Sequence, residues 1–206
     1  MSMSQRSQSI RYMTHLALLI ALQIVLTITP IGFFSLGGIS ITIVHIPVLV
    51  GAIALGVKAG AILGTCFGIS SMLVATMRAP SPADQIFSPF LSGSAWSLVL
   101  AIVPRLLCGL FAALVFIGVK KLIKKDVPAA AIAAAAGSLT NTIFVLSFIY
   151  LFFGKIYAEL NGVTLEALLK IFLVVAGTNG MVEMLFAAFL CSVLVKPVQM
   201  VLKRVD

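Results

Sequence analysis

Charged residues are scarce in this chain of 206 residues, and acidic residues are scarcer than basic ones. Asp, Glu, Lys and Arg make up 10% of the sequence, against about a quarter in an ordinary soluble domain. Hydrophobic residues supply 61%, and the mean hydropathy is +1.20. Such a chain cannot cover a water-exposed surface, so its composition predicts a polytopic membrane protein that forms one domain over residues 1–206.

Sequence motifs for catalysis and metal binding are also missing. There is no nucleotide-binding GxxxxGKS/T loop, no HExxH and no GxSxG, and the three cysteines and two histidines show no paired spacing. We therefore expect no enzyme activity, no metal site and no cofactor in this chain. The formal net charge of +8 does not indicate nucleic acid, because the basic residues gather at the ends of apolar runs.

Six apolar runs predict membrane helices, since a bilayer core of about 30 Å needs roughly 20 residues per helix. The predicted helices cover residues 11–29, 43–55, 59–77, 93–119, 127–153 and 166–195. The second is short, whereas the last three exceed what the bilayer requires and are expected to tilt or protrude. We expect the first run to be kept as a helix and not cleaved as a signal peptide. The predicted fold class is an all-α integral membrane protein with six transmembrane helices.

Basic residues divide unequally between the two sides of the predicted bundle. Six spans place both termini on one side, which would carry most of the 14 lysines and arginines. These residues are Arg6, Arg11, Lys58, Lys120, Lys121, Lys124, Lys125, Lys196, Lys203 and Arg204. The positive-inside rule then predicts cytoplasmic termini. The longer loops on the outer side are expected to cover an outward-facing site, with Phe34 acting either as a lid residue or as an interfacial anchor.

Small residues form two stripes at helical spacing. Gly56, Gly60, Gly64 and Gly68 recur every fourth residue, which lets a neighbouring helix approach to backbone contact, and we expect packing inside the chain. Ala17 and Ala21 lie one turn apart on the first helix. The residues alone favour internal packing for this pair over a partner interface.

Four polar residues fall at a similar depth on three successive helices. Counting 1.5 Å per residue from the outer helix ends places Arg105 and Asn141 roughly 18 Å deep, Asn179 roughly 20 Å deep and Glu183 one turn further. A charged side chain at such depth costs about 2.5–3.5 kcal/mol on insertion scales and needs a partner or a cavity. Two interpretations stay open and are compatible. Arg105 and Glu183 form a buried ion pair, or the four residues line a polar pocket whose arginine receives a ligand carboxylate or phosphate.

Two further residues are candidates for ligand contact. His45, in "TIVHIP", either hydrogen-bonds a ligand or supports the start of the second helix locally. Trp96, near the outer end of the fourth helix, suits an interfacial aromatic belt, and ligand stacking is the alternative.

Sequence segments along the chain resemble one family of transport proteins. "ALLIA" in the first helix, "ITIVHIPVLVGAIALGVKAGAILG" around the second and "PRLLCG" in the fourth occur in the order found in S components of energy-coupling factor (ECF) transporters. The resemblance covers about residues 11–196. It implies a vitamin-binding subunit of the bacterial cell membrane, with a transmembrane coupling subunit and two cytoplasmic ATPases as partners. It also implies that the Ala17/Ala21 face docks on the coupling subunit, and that the subunit topples in the membrane to release its vitamin.

The segment "GGISITIVHIPVLVGAI" is most similar to S components assigned to pantothenate. The carboxylate and hydroxyls of pantothenate suit an arginine, asparagines and a histidine. The candidate binding residues are therefore Arg105, Asn141, Asn179, Glu183, His45, Trp96 and Phe34. S components for folate, pyridoxine or hydroxymethylpyrimidine share the scaffold and remain alternatives. Two alternatives come from different classes: an autonomous secondary transporter, in which Glu183 would carry a coupling proton, and a non-transport membrane scaffold built on the small-residue stripes.

Overall fold

The structure is a computed structural model that describes residues 3–29, 32–36, 39–78 and 82–203. Helices dominate these ranges, and one β-hairpin interrupts them. In chain order the elements are α1 (Met3–Ile28), β1 (Phe33–Leu36), β2 (Ile39–Thr42), α2 (Ile46–Leu55), α3 (Val57–Arg78), a 3-10 helix (Pro82–Phe87), α4 (Pro89–Ser92), α5 (Trp96–Ile123), α6 (Asp126–Leu160), α7 (Leu165–Val175), a π-helical turn (Ala176–Gly180) and α8 (Met181–Lys203).

Five helical stretches in the described ranges are long and apolar enough to cross a membrane. They are Gln8–Ile28, Val57–Arg78, Trp96–Ile123, Asp126–Leu160 and Leu165–Met200. All six predicted helices exist in the predicted order, but α2 has only 10 residues. At 1.5 Å per residue it covers about 15 Å, or half of the hydrocarbon core. The described ranges therefore hold five helices of spanning length and the short second helix that the sequence predicted, and the count of six transmembrane helices stays a prediction.

The β-hairpin between α1 and α2 is a departure from the all-α prediction. Strands β1 and β2 pair antiparallel, with Phe33 opposite Thr42. The backbone N–H of Thr42 donates a hydrogen bond to Oε1 of Glu183 on α8 at 2.7 Å. The last residue of the hairpin therefore lies beside Glu183. Helix α2 begins four residues after Thr42, at Ile46. The chain therefore enters the short helix α2 from the level of Glu183.

The two ends of the bundle differ in character. At one end, here called the hairpin end, Nη1 of Arg78 donates to the carbonyl oxygen of Ile28 at 3.2 Å and joins the ends of α3 and α1. At the opposite end, here called the lysine end, α5 and α6 are joined by a tight turn in which Lys124 has a φ of 57°. An ion pair between Lys120 and Asp126 closes that turn.

The predicted glycine stripe is confirmed as a contact within the chain. Gly60, Gly64 and Gly68 on α3 lie against the backbone of α5 at Gly109, Arg105 and Ala101 respectively. A methyl group on Gly60 would lie 2.6 Å from the carbonyl oxygen of Gly109, and one on Gly68 would lie 2.7 Å from that of Ala101. The two helices therefore meet backbone to backbone, as small residues permit in membranes.

Gly56 has a different role from the other three glycines. It lies between α2 and α3 with a φ of 90°, and no atom lies within 4 Å of the position where a Cβ would be. Only glycine adopts this conformation at little cost. Gly56 therefore makes the abrupt connection from α2 to α3 and is not part of the packing stripe.

Replacing Gly60 by alanine is expected to destabilise the protein by about 1–3 kcal/mol, because the added methyl group would overlap the carbonyl oxygen of Gly109 and push α3 from α5. Thermal unfolding in detergent micelles measures the change. The matched control is Gly118→Ala in the interior of α5, where nothing lies within 4 Å of the added methyl group. That control should be neutral or slightly stabilising, since alanine favours helix over glycine. Equal melting temperatures for both variants would contradict the backbone contact.

Candidate functional site

The four predicted polar residues line one cavity. A cavity of about 270 Å³ lies between α3, α5, α6 and the π-helical turn, and Arg105, Asn141, Asn179 and Glu183 are all in its wall. Thr42 at the end of the hairpin also lines it. Its volume is just below the range of about 300–1,000 Å³ that holds small ligands. The four side chains therefore share one cavity wall, and their role as ligand-binding residues stays a prediction.

A second cavity lies next to the first. Its volume is about 230 Å³, and Arg105 and Ser71 line both cavities. Thr27 of α1 and Asp84 of the 3-10 helix are polar residues found in the wall of this second cavity. Arg105 thus borders two polar spaces, one toward the π-helical turn and one toward the hairpin end.

A proline in α5 explains how Arg105 is oriented. Pro104 has no backbone N–H, so the carbonyl of Leu100, four residues earlier, loses the helical hydrogen bond that it would otherwise accept. Nη1 of Arg105 donates to that carbonyl oxygen at 3.0 Å. The neighbouring side chain thus replaces the missing backbone donor, and one corner of the guanidinium is fixed inside the helix bundle.

Arg105 and Glu183 are both described in the structure, and they do not form an ion pair. The first of the two interpretations was therefore wrong. The carboxylate of Glu183 accepts its hydrogen bond from Thr42, and the guanidinium of Arg105 is held at Leu100. Both side chains lie in the wall of the same cavity. Each charge is therefore held by backbone groups, and neither is neutralised by the other.

Two polar atoms in the cavity wall have no partner. Nε of Arg105 and Oδ1 of Asn141 are buried and make no hydrogen bond in the structure. A buried polar group left unpaired costs about 1–3 kcal/mol, so an unpaired group in a cavity wall is a candidate for contact with a ligand. The first is a donor and the second is an acceptor, so a ligand that carries both an anionic oxygen and a hydroxyl or amide N–H would satisfy both.

The π-helical turn positions Asn179. Residues Ala176–Gly180 widen the helix between α7 and α8, and Asn179 lies in this turn beside the cavity. Gly180 lies close to α6, since a methyl group there would be 3.0 Å from Cγ2 of Thr142. Single π-helical turns often occur at functional sites. The sequence prediction of a continuous helix over 166–195 missed this turn, although the segment "AGTNG" is unusually rich in glycine for a helix interior.

The other predicted site residues lie elsewhere. His45 is buried at the start of α2 and is not among the residues that line the first cavity. Trp96 is exposed to 53% and stacks on Phe152 with ring centroids 4.3 Å apart, which suits an interfacial position. The side chain of Phe34 lies outside the described part of the structure. Ala17 and Ala21 are exposed on α1, so they do not form the internal contact that their residue types favoured.

Comparison with known proteins identifies the class of this helical bundle. Residues 11–195 match the family model of the ECF transporter substrate-specific component. The chain therefore belongs to this family of membrane transport proteins, as its sequence segments predicted. It is also 35% identical over 161 residues, 75% of each chain, to the pantothenic acid transporter PanT of Lactococcus lactis subsp. cremoris.

Proposed function

We propose that this chain captures pantothenate at the outer face of the cell membrane, as the substrate-specific subunit of an ATP-driven ECF importer. The observation that carries the proposal is the cavity around Arg105, which holds an unpaired cationic donor and an unpaired amide acceptor. The similarity to a pantothenic acid transporter supports the choice of ligand.

The chemistry of pantothenate matches the groups in the cavity wall. The vitamin has a carboxylate at one end, an amide in the middle and two hydroxyls at the other end. Arg105 is the residue for the carboxylate, because guanidinium and carboxylate form charge-assisted, bidentate hydrogen bonds. Asn141 and Asn179 supply both donors and acceptors for the amide and hydroxyls. Glu183 acts mainly through the backbone of Thr42, by holding the end of the hairpin against the cavity.

The energy for transport comes, in this proposal, from partner subunits. The chain has no nucleotide-binding loop, so ATP hydrolysis would belong to two cytoplasmic ATPases, coupled through a transmembrane subunit. The lysine end of the bundle faces the cytoplasm by the positive-inside rule, with both termini on that side. The exposed Ala17/Ala21 face of α1 is the docking surface for the coupling subunit.

A vitamin panel tests the ligand assignment directly. The purified protein is heated in detergent with pantothenate, folate, pyridoxine or hydroxymethylpyrimidine, each at micromolar concentration. Pantothenate should raise the melting temperature, because a ligand at a hundred times its Kd stabilises the native state by about 2.7 kcal/mol. Stabilisation by another vitamin of the panel would change the assigned ligand, and stabilisation by none would contradict the proposal.

Reconstitution tests the coupling to ATP. Liposomes that contain this chain alone should not accumulate pantothenate, whereas liposomes that also contain the coupling subunit and ATPases should do so when ATP is supplied. Uptake by the chain alone, driven by a proton gradient, would instead indicate a secondary transporter.

A further inference from the structure

The guanidinium of Arg105 lies above two aromatic rings. Its Cζ is 5.5 Å from the ring centroid of Phe67 on α3 and 5.1 Å from that of Phe87 at the end of the 3-10 helix. Both distances fall within the range of a cation–π contact, which lies within about 6 Å of the ring centroid and is strongest where water is excluded. Arg105 is buried, so these rings are major partners of its charge.

These contacts restrict how Arg105 can meet a ligand. Nη1 is engaged by the carbonyl oxygen of Leu100, and the rings come from two elements separated along the chain. Nε remains buried without a partner. The edge formed by Nε and Nη2 is therefore the side of the guanidinium that is left for a bidentate contact.

We propose that Phe67 and Phe87 are positioning residues for ligand selection: they orient Arg105 so that its Nε edge receives the ligand carboxylate. This inference rests on the proposed function of the cavity. Phe67 lines the first cavity and Phe87 lines the second, and Arg105 lines both. Each ring therefore contacts the guanidinium from a different cavity. Holding a flexible cation in its binding geometry before the ligand arrives lowers the entropic cost of binding.

Orientation matters more for a carboxylate than for an uncharged group. A carboxylate accepts two parallel hydrogen bonds from a correctly oriented guanidinium, whereas an alcohol in the same place accepts one and has no charge. A guanidinium that samples several orientations loses the second bond for much of the time. The aromatic pair therefore sets the preference of the site for an acid over the corresponding alcohol.

The test compares pantothenate with pantothenol, in which a primary alcohol replaces the carboxylate, by isothermal titration calorimetry on the full chain. Phe87→Leu should weaken pantothenate binding about three- to tenfold, as expected for loss of an immobilised side chain. Its affinity for pantothenol should stay unchanged, which also shows that the variant is folded. Phe67→Leu should behave in the same way, and Phe87→Tyr, which keeps an aromatic face, should preserve the wild-type ratio of affinities.

The matched control is Phe90→Leu, three residues further along, where the side chain is exposed to 79%. It should leave both affinities unchanged. An equal loss for pantothenate and pantothenol in Phe87→Leu would show that the ring only supports the fold, and no loss for either would show that it does not act on Arg105. Failure of the wild-type protein to bind pantothenate would instead overturn the proposed function, and this inference with it.

Discussion

Arg105→Met should weaken pantothenate binding by about a hundredfold or more, because the ligand carboxylate loses two charge-assisted hydrogen bonds worth about 1.5–3 kcal/mol each. Titration calorimetry measures the loss. The matched control is Arg78→Gln, since the guanidinium of Arg78 also donates to a backbone carbonyl but lies at the hairpin end, outside the cavity wall. That control should bind pantothenate with wild-type affinity.

A second substitution separates the binding role of Arg105 from its role inside α5. Arg105→Met leaves the carbonyl of Leu100 without a donor, since Pro104 cannot supply one. Adding Pro104→Ala restores a backbone N–H at the right position, so the double variant should be more stable than Arg105→Met by about 1–3 kcal/mol. Binding should remain lost. Recovery of pantothenate affinity in the double variant would show that the guanidinium only supports the helix.

Substituting tryptophan for Ala17 or Ala21 should abolish ATP-driven uptake while leaving pantothenate binding intact. Both alanines are exposed on α1, and a large ring on a face of small residues keeps a partner helix from approaching. The substituted positions are remote from the cavity wall, so calorimetry on the isolated subunit should give the wild-type Kd. Uptake in liposomes with the coupling subunit and ATPases should fall to background.

The control for this face is Leu114→Trp on α5, where the native side chain is exposed to 55% on the outside of the bundle. It adds a tryptophan to another exposed apolar surface and should leave uptake unchanged. Normal copurification of the complex with Ala17→Trp and Ala21→Trp would contradict the docking surface. Loss of uptake in Leu114→Trp would show that any added bulk on the bundle is harmful.

Which polar residues share a cavity could be predicted from the sequence, whereas the orientation of their side chains could not. The rise of a helix is constant, so counting residues from the helix ends brought together Arg105, Asn141, Asn179 and Glu183, which line one cavity in the structure. Which of these side chains touch each other depends on rotation about the helix axes and on competing partners. The predicted ion pair was wrong for this reason. Arg105 donates to the carbonyl of Leu100, and Glu183 accepts from the backbone N–H of Thr42.

The hairpin was missed because residues 30–42 were read as an outer loop between the first two helices. The segments "FFSL" and "ISIT" are rich in aromatic and β-branched residues, and two glycines lie between them, which is a hairpin pattern. In a chain this hydrophobic, the same residues also suit the approach to a membrane helix. The pairing of β1 with β2 and the acceptor on Glu183 depend on tertiary contacts, which local pattern does not contain.

The backbone contact between α3 and α5 also has a consequence for changing the ligand of this subunit. Gly64 lies against the peptide of Arg105 itself, and a methyl group there would be 3.0 Å from its carbonyl carbon. A slip of one helix along the other by a turn would move the arginine by about 5.4 Å. Under the proposed function, libraries designed to redirect the subunit to another carboxylated vitamin should vary Asn141 and Asn179 and keep Gly64 constant, because the contact at Gly64 fixes the position of Arg105.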